Sequence, residues 1–259
     1  MPTILAALDA SDTLEPTARA ARCLSTLLDA EVVGLHVLED DSPDPATLTE
    51  RAGFEVRAHT ADDILSPLVE AIEDPEVVLA VVGSRDLPER TAPVGHVARL
   101  LAQRLTTPLL VVPPGASLGT DGRLTRALVP LNGDPLTTAE LDELIGRLAD
   151  HAVEVVVMHV FDPRHPPRFV DEPQHGYEAW RDEFWARHEP RADRVELRRG
   201  AAWDAVLTCA HEVEAELIVL CWSQQFAAGR AAVVREVLAN PTIPTLLLPR
   251  REELAAASA

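Results

Sequence analysis

Lysine is missing: all 23 basic residues of this 259-residue chain are arginine. That excludes a Walker-type phosphate lysine, a Schiff-base lysine and a lysine general base. Any phosphate has to be held by backbone N–H groups, hydroxyls, arginine, histidine or a metal. Positive charge is scarce altogether. The 42 acidic residues leave a formal net charge of -19 at pH 7, and no basic stripe gathers the arginines, so nucleic acid is not an expected partner. Cysteine is limited to Cys23, Cys209 and Cys221. An odd, widely spaced set reads as reduced, structural thiols rather than a disulfide framework or a metal knuckle. No apolar run is long enough to span a bilayer, and the chain enters a strand without a signal peptide. No membrane association is expected, and the expected location is the cytoplasm. Aromatic residues make up 4% of the chain, nearly all of them in its second half.

What the sequence does hold is organised around Val77–Pro114, which reads strand, Gly-containing loop, helix, strand. Val77–Gly83 (VVLAVVG) is a continuous apolar run, as in a parallel strand buried on both faces. Ser84 to Pro93 is polar and carries Pro88 and Pro93, so it is a loop. From Val94, the residues Val97, Leu100, Leu101 and Leu105 recur at helical spacing, and after Pro108 a second buried run, LLVV, follows. Gly83 and Gly95 bracket the loop. The unpaired N–H groups at the helix start by Gly95 suit an anion.

The remainder is this kind of unit written twice. Ile4–Asp9 is a strand ending in an acid, and Ser11 and Asp12 offer N-caps for a helix to about Leu28. Val32–Leu38 is a strand, an acidic loop and a short helix follow, Phe54–His59 alternates as an edge strand, and Asp62–Glu73 is a helix. The segment Pro113–Arg123, with three glycines and two prolines, reads as a linker. The pattern then restarts. Arg126–Asp134 matches the first strand, with Asn132 at the position of Asp9. Val153–Asp162 matches the second strand, so that His159-Val160 repeats His36-Val37. Arg194–Arg199 is the third strand, Ala215–Ser223 matches Val77–Ser84, and Thr245–Leu248 matches Leu109–Val112. The expected units are residues 1–115 and 124–259, joined by a linker at 116–123. Each is an α/β, doubly wound, five-stranded parallel sheet, Rossmann-like. With right-handed crossovers and a strand order of 3-2-1-4-5, the chain reverses between strands 1 and 4. Ligands bind at the carboxyl ends of the strands flanking that reversal, here at Asp9 and Gly83.

These residues resemble the universal stress protein family. The likeness runs through ALDAS, LHVLE, VVGSRD, VGHVARLL and TTPLLVVPP, and again through HVFDP, VLCWSQQ, GRAAVVREVL and IPTLLLPR, nearly the whole chain as a tandem pair. The resemblance implies the adenine nucleotide alpha hydrolase-like fold, in a family with ATP-binding and non-binding branches. Binders carry Gly-x-x-Gly, nine residues, then Gly-Ser/Thr. Gly83-Ser84-Arg85 fits the start, but Asp86 replaces the second glycine. The spacer to Gly95 is one residue short, and His96 replaces the hydroxyl residue. Asp9 and Val37 fall where the family places its nucleotide-contacting acid and strand-2 valine. The nucleotide-binding set so implied is Ala7, Leu8, Asp9, Val37, Gly83, Ser84, Arg85, Gly95, His96 and Val97. The second-half set is Asn132, Val160, Ser223, Gly229 and Arg230. There Trp222 stands at the first-glycine position and would fill the crevice, which makes this half a degenerate site or one with altered ligand preference.

Each feature has a plainer reading. The Gly83–Gly95 loop reads as a nucleotide cradle or as a connection whose glycines only satisfy backbone geometry, and Arg85, Arg90 and His96 are phosphate partners or surface residues. Asp9 is a ribose or magnesium contact, or a cap. His36 and His159 read as core histidines with one satisfied N–H. His165, His175 and His188 match no standard metal spacing, and no metal site is expected. Tyr177, Trp180 and Phe184 read as a packing face. Gly115–Gly119 spells Gly-x-Ser-x-Gly, but without the helix a nucleophile elbow requires. No catalytic constellation emerges, so no enzyme is expected. The favoured function is a regulatory, stress-type protein that binds ATP, with or without Mg2+, or another small ligand, better in its first half. A partner-binding module with filled crevices and a weak ATPase are the alternatives. The halves are expected to form an intramolecular pseudo-dimer through Leu109–Val112 and Thr245–Leu248. A homo-oligomer and an unidentified regulatory protein remain open as partners.

Overall fold

The computed structural model describes residues 1–38, 44–84, 96–119, 122–131, 135–161, 178, 181, 182, 184, 186, 192–222, 224, 232–239 and 242–249 (for 96 and 135–140, the backbone only). The first half runs β1 (Thr3–Ala7), α1 (Leu14–Leu28), β2 (Glu31–Leu38), α2 (Pro45–Ala52), β3 (Val56–Thr60), α3 (Leu65–Ile72), β4 (Val77–Gly83), α4 (His96–Arg104) and β5 (Leu109–Val112). The second runs β6 (Arg126–Pro130), α5 (Pro135–Asp150), β7 (Glu154–Phe161), β8 (Arg194–Arg199), α6 (Ala202–Glu212), β9 (Leu217–Trp222), α7 (Ala232–Ala239) and β10 (Thr245–Pro249).

The strands form one ten-stranded sheet in the order β3-β2-β1-β4-β5-β10-β9-β6-β7-β8. Each half has the expected 3-2-1-4-5 order, parallel throughout. The two five-stranded sheets join along the expected edge strands into one: β5 and β10 pair antiparallel, with Thr245 opposite Val111 and Leu246 opposite Leu110. The cause is the exposed ladder each half would otherwise present. Both strands are short, apolar and buried, and pairing them removes two open edges. The outer edges, β3 and β8, alternate with charge instead, as a solvent-facing edge requires.

Helices cover both faces. One core packs α1, α2 and α5 on Ile4, Ala6, Val81, Leu110, Val129, Val157 and Leu246. The other packs α3, α4, α6 and α7 on Leu5, Val37, Val82, Val111, Val156, Leu220 and Leu247. Both cores run across the seam, so the halves share their hydrophobic layers as well as their sheet. The segment read as linker is not mere filler: Leu118 is 1% exposed and belongs to the first core.

Local chemistry sets the helix ends. The short helix after β2 forms because Asp44 accepts the Ala46 amide at 3.0 Å, Pro45 occupies its first turn and Gly53 closes it at φ 76°. At the end of α5, Ala152 is held at φ 57°, a left-handed conformation that a side chain makes costly. Replacing Ala152 with glycine is expected to raise stability by about 0.5 kcal/mol, measurable as a higher urea midpoint at unchanged slope.

Candidate functional site at the carboxyl ends of the first and fourth strands

Strand alternation brings part of the expected set together. Along β1, Ile4 and Ala6 face α1, while Leu5 and Ala7 face α3 and α4. Continuing the pleat puts Asp9 on the α3/α4 side. Val37 of β2 is 7% exposed on that side, and Ser84 follows Val82 onto it at the end of β4. Val97, in the first turn of α4, packs against the same core. Ala7, Asp9, Val37, Ser84 and Val97 therefore share one face, at the reversal of strand order where such sheets take ligands. Leu8, 5% exposed, points into the opposite core. Arg85, Arg90 and Gly95 lie outside the described residues. His96 opens α4, and its side chain is likewise outside them.

Asp9 has a structural job. Its Oδ1 accepts the Ser11 amide at 3.0 Å and the Ser11 hydroxyl. Ser11 Oγ in turn accepts the Thr13 amide at 3.2 Å and lies 2.8 Å from Thr13 Oγ1. Neither Ser11 nor Asp12 is the N-cap of α1: that position falls to Thr13, which makes no side-chain capping bond. The acid instead ties down the turn that leads into the helix. Thr13, 4% exposed, then seats against Gly83. A Cβ on Gly83 would stand 2.6 Å from Thr13 Cβ and nearer still to its hydroxyl. The glycine thus admits the β1–α1 turn to the strand end. Gly83→Ala is expected to cost about 1–3 kcal/mol by overpacking. Chemical denaturation should show the loss, largely restored in Gly83→Ala/Thr13→Gly. Nothing in the sequence paired Thr13 with Gly83, because their contact is made across the strand order.

Ser84 is different. Its amide donates to Val112 O at 2.8 Å, yet its hydroxyl, in a residue 2% exposed, has no hydrogen-bond partner among the described residues. Buried hydroxyls are ordinarily paired, and an unpaired one costs about 1–3 kcal/mol. His36 is 5% exposed and donates Nδ1–H to Leu8 O at 2.8 Å. His159 repeats this with Leu131 O at 2.7 Å, the separation being 28 residues in both cases. A carbonyl only accepts, so the proton sits on Nδ1 in each ring. Both are core histidines.

In the second half, the ladders correct the alignment of the fourth strand. Ile4 pairs Leu79 in β1–β4, and Ala127 pairs Leu217 in β6–β9. Leu217 thus corresponds to Leu79, Cys221 to Gly83, and Trp222 to Ser84 rather than to the glycine. Trp222, 3% exposed, lies in the α6/α7 core, against which Val160 also packs. The indole occupies the place that the small serine has in the first half. Asn132, Ser223, Gly229 and Arg230 lie outside the described residues, as do His165, His175 and His188, Tyr177 and Trp180. Phe184 is fully buried, with its ring 5.3 Å from that of His159.

Among the described residues, no group of three or more His, Cys, Asp or Glu is placed to hold a metal ion. No described helix is long and apolar enough to cross a membrane. None of the three cysteines is in a disulfide, and burial pushes the thiols of Cys23 and Cys209 up, away from the reactive thiolate. At Gly115–Gly119, Ser117 donates to Gly119 O at 3.2 Å, and no helix starts among the described residues before β6. Gly119 sits at φ 78° with Arg123 O only 2.6 Å from where a Cβ would be. This is a tight turn and not a nucleophile elbow.

No protein-family model and no curated protein matches the sequence. Solved structures do match the fold. A functionally unknown protein of Pseudomonas aeruginosa PAO1 superposes with a TM-score of 0.75 at 13% identity, over 99% of this chain and 95% of its own. A universal stress protein of Archaeoglobus fulgidus does so at 0.64 and 15%, over 96% and 98%. A protein of Pseudomonas aeruginosa UCBPP-PA14, described as a universal stress protein, does so at 0.72 and 13%, over 99% and 96%. The matched lengths span both halves and the seam between them: the chain has the fold of tandem universal stress proteins.

Proposed function

We propose that the first half, residues 1–115, binds an adenine nucleotide, ATP with Mg2+ as its counter-ion, and that the protein uses this binding for regulation in the cytoplasm, without efficient turnover. The observation that carries the reading is Ser84. A buried hydroxyl with no partner among the described residues stands at the end of β4, on the face shared by Ala7, Asp9, Val37 and Val97. A phosphate or ribose oxygen would supply the missing bond, and with no lysine in the chain a hydroxyl and backbone N–H groups are natural donors. Mg2+ would arrive with the phosphates, its coordination completed by them, by water and by the Asp9 carboxylate.

The second half, residues 124–259, is the degenerate one in this reading, because Trp222 fills the place equivalent to Ser84. Three cysteines outside any disulfide suit a reducing compartment. The reading is tested by thermal melting with Mg-ATP. Ligand at a hundredfold excess over Kd should stabilise the chain by about 2.7 kcal/mol. No shift at millimolar Mg-ATP would favour a module that acts only through protein partners. Phosphate release above background would favour a weak ATPase.

A further inference from the structure

The halves run in opposite directions across the seam, and this brings the end of β9 to the end of α4. β4 and β5 are parallel, so α4 leaves the carboxyl end of β4 and returns to the amino end of β5. β10 is antiparallel to β5, with Leu247 opposite Leu109 at the start of that strand. It is parallel to β9, with Pro249 beside Trp222. The carboxyl end of β9 therefore lies level with the last turn of α4.

Gln224 spans the gap. Its side-chain amide donates from Nε2 to the carbonyl oxygen of Leu105, 119 residues away in the chain. Leu105 ends α4, its own amide donating to Leu101 O at 2.9 Å. The last carbonyls of a helix have no partner within it, so Gln224 caps α4 from the other half. Gln224 is half-buried and held at φ 60°, a left-handed conformation that a side chain makes costly and that persists where surrounding contacts impose it. Two residues earlier, Trp222 roots the segment in the core that also holds Leu101, Ala102 and Leu105.

The other end of α4 lies at the crevice. The helix opens at His96, and Val97 in its first turn packs on the face that carries Ser84. Its nine residues make a rod about 14 Å long, so a tilt at Leu105 displaces the opening turn.

We propose that Gln224 is a positioning residue for the first-half site: through this amide the second half holds α4 at the angle that sets its opening turn against the ligand. The half closed by Trp222 thereby takes part in binding at the other. The coupling to ligand rests on the nucleotide reading; the brace on α4 does not.

The test compares the full-length wild type with Gln224→Glu, which keeps the stem but removes the donor, and with Gln224→Gly, which removes the side chain and suits the positive φ. Without ligand, amide hydrogen exchange from Leu101 to Leu105 should quicken about three- to tenfold in both variants. Calorimetry should show Mg-ATP affinity falling about three- to tenfold in both, at temperatures where each is fully folded. A contact with only a structural role would leave that affinity unchanged. Unchanged exchange in Gln224→Glu would remove the brace. Faster exchange with unchanged affinity would overturn the coupling. A wild-type chain that binds no Mg-ATP would instead contradict the nucleotide reading, and exchange alone would then decide the brace.

Discussion

Leu110→Ala is expected to destabilise the protein by about 2–5 kcal/mol, and to lower the unfolding midpoint of both halves together. Leu110 is fully buried in β5, directly opposite Leu246 of β10, where the halves meet. Its side chain belongs to the core that also holds Ile4 and Ala6 of the first half and Val129 and Val157 of the second. A cavity there is lined from both sides of the seam, and neither half can relax into it alone. Shared cores make unfolding of one half expose apolar surface on the other, so a single cooperative transition is expected. It should be seen alike by tryptophan fluorescence, which reports only on the second half, and by circular dichroism, which reports on both. A midpoint that falls by one probe and stays fixed by the other would mean that the halves unfold independently.

Ser84→Ala should produce opposite signs in two measurements. Removing an unpaired buried hydroxyl is expected to raise stability of the free protein by up to about 1 kcal/mol, since the desolvation cost disappears and little volume is lost. The same change should weaken Mg-ATP about tenfold or more, because a hydrogen bond to a charged phosphate oxygen is worth about 1.5–3 kcal/mol. A residue with only a packing role would move stability and leave affinity alone. Denaturant unfolding without ligand and titration with ligand separate the two, and an unchanged affinity would remove Ser84 from the site.

Much of the architecture is legible in the sequence because its signals are local and repeated. Apolar runs such as Val77–Gly83 mark buried parallel strands, and the recurrence of His36-Val37 as His159-Val160 fixes the duplication. Even the seam is legible: a second half ending in PTLLLP, like the first in PLLVVP, leaves two apolar edges that need each other. Contacts made across strand order are not legible. Thr13 on Gly83 joins residues seventy apart, and neither carries a mark of the other. Leu118 was hidden by its glycine-rich surroundings, although it is the large apolar side chain of that segment. The one-residue shift that sets Trp222 against Ser84 is revealed only by the ladder partners. The acid at Asp9 was readable as a ligand or as a cap. Its bonds to Ser11 give it a turn-stabilising role whatever ligand it also meets.

The proposed function requires a first-half crevice that admits a nucleotide and a second-half crevice closed by an indole. Calorimetric titration of the wild-type chain with Mg-ATP tests this most directly through its stoichiometry. One nucleotide per chain is the predicted result; none, or two, would contradict it.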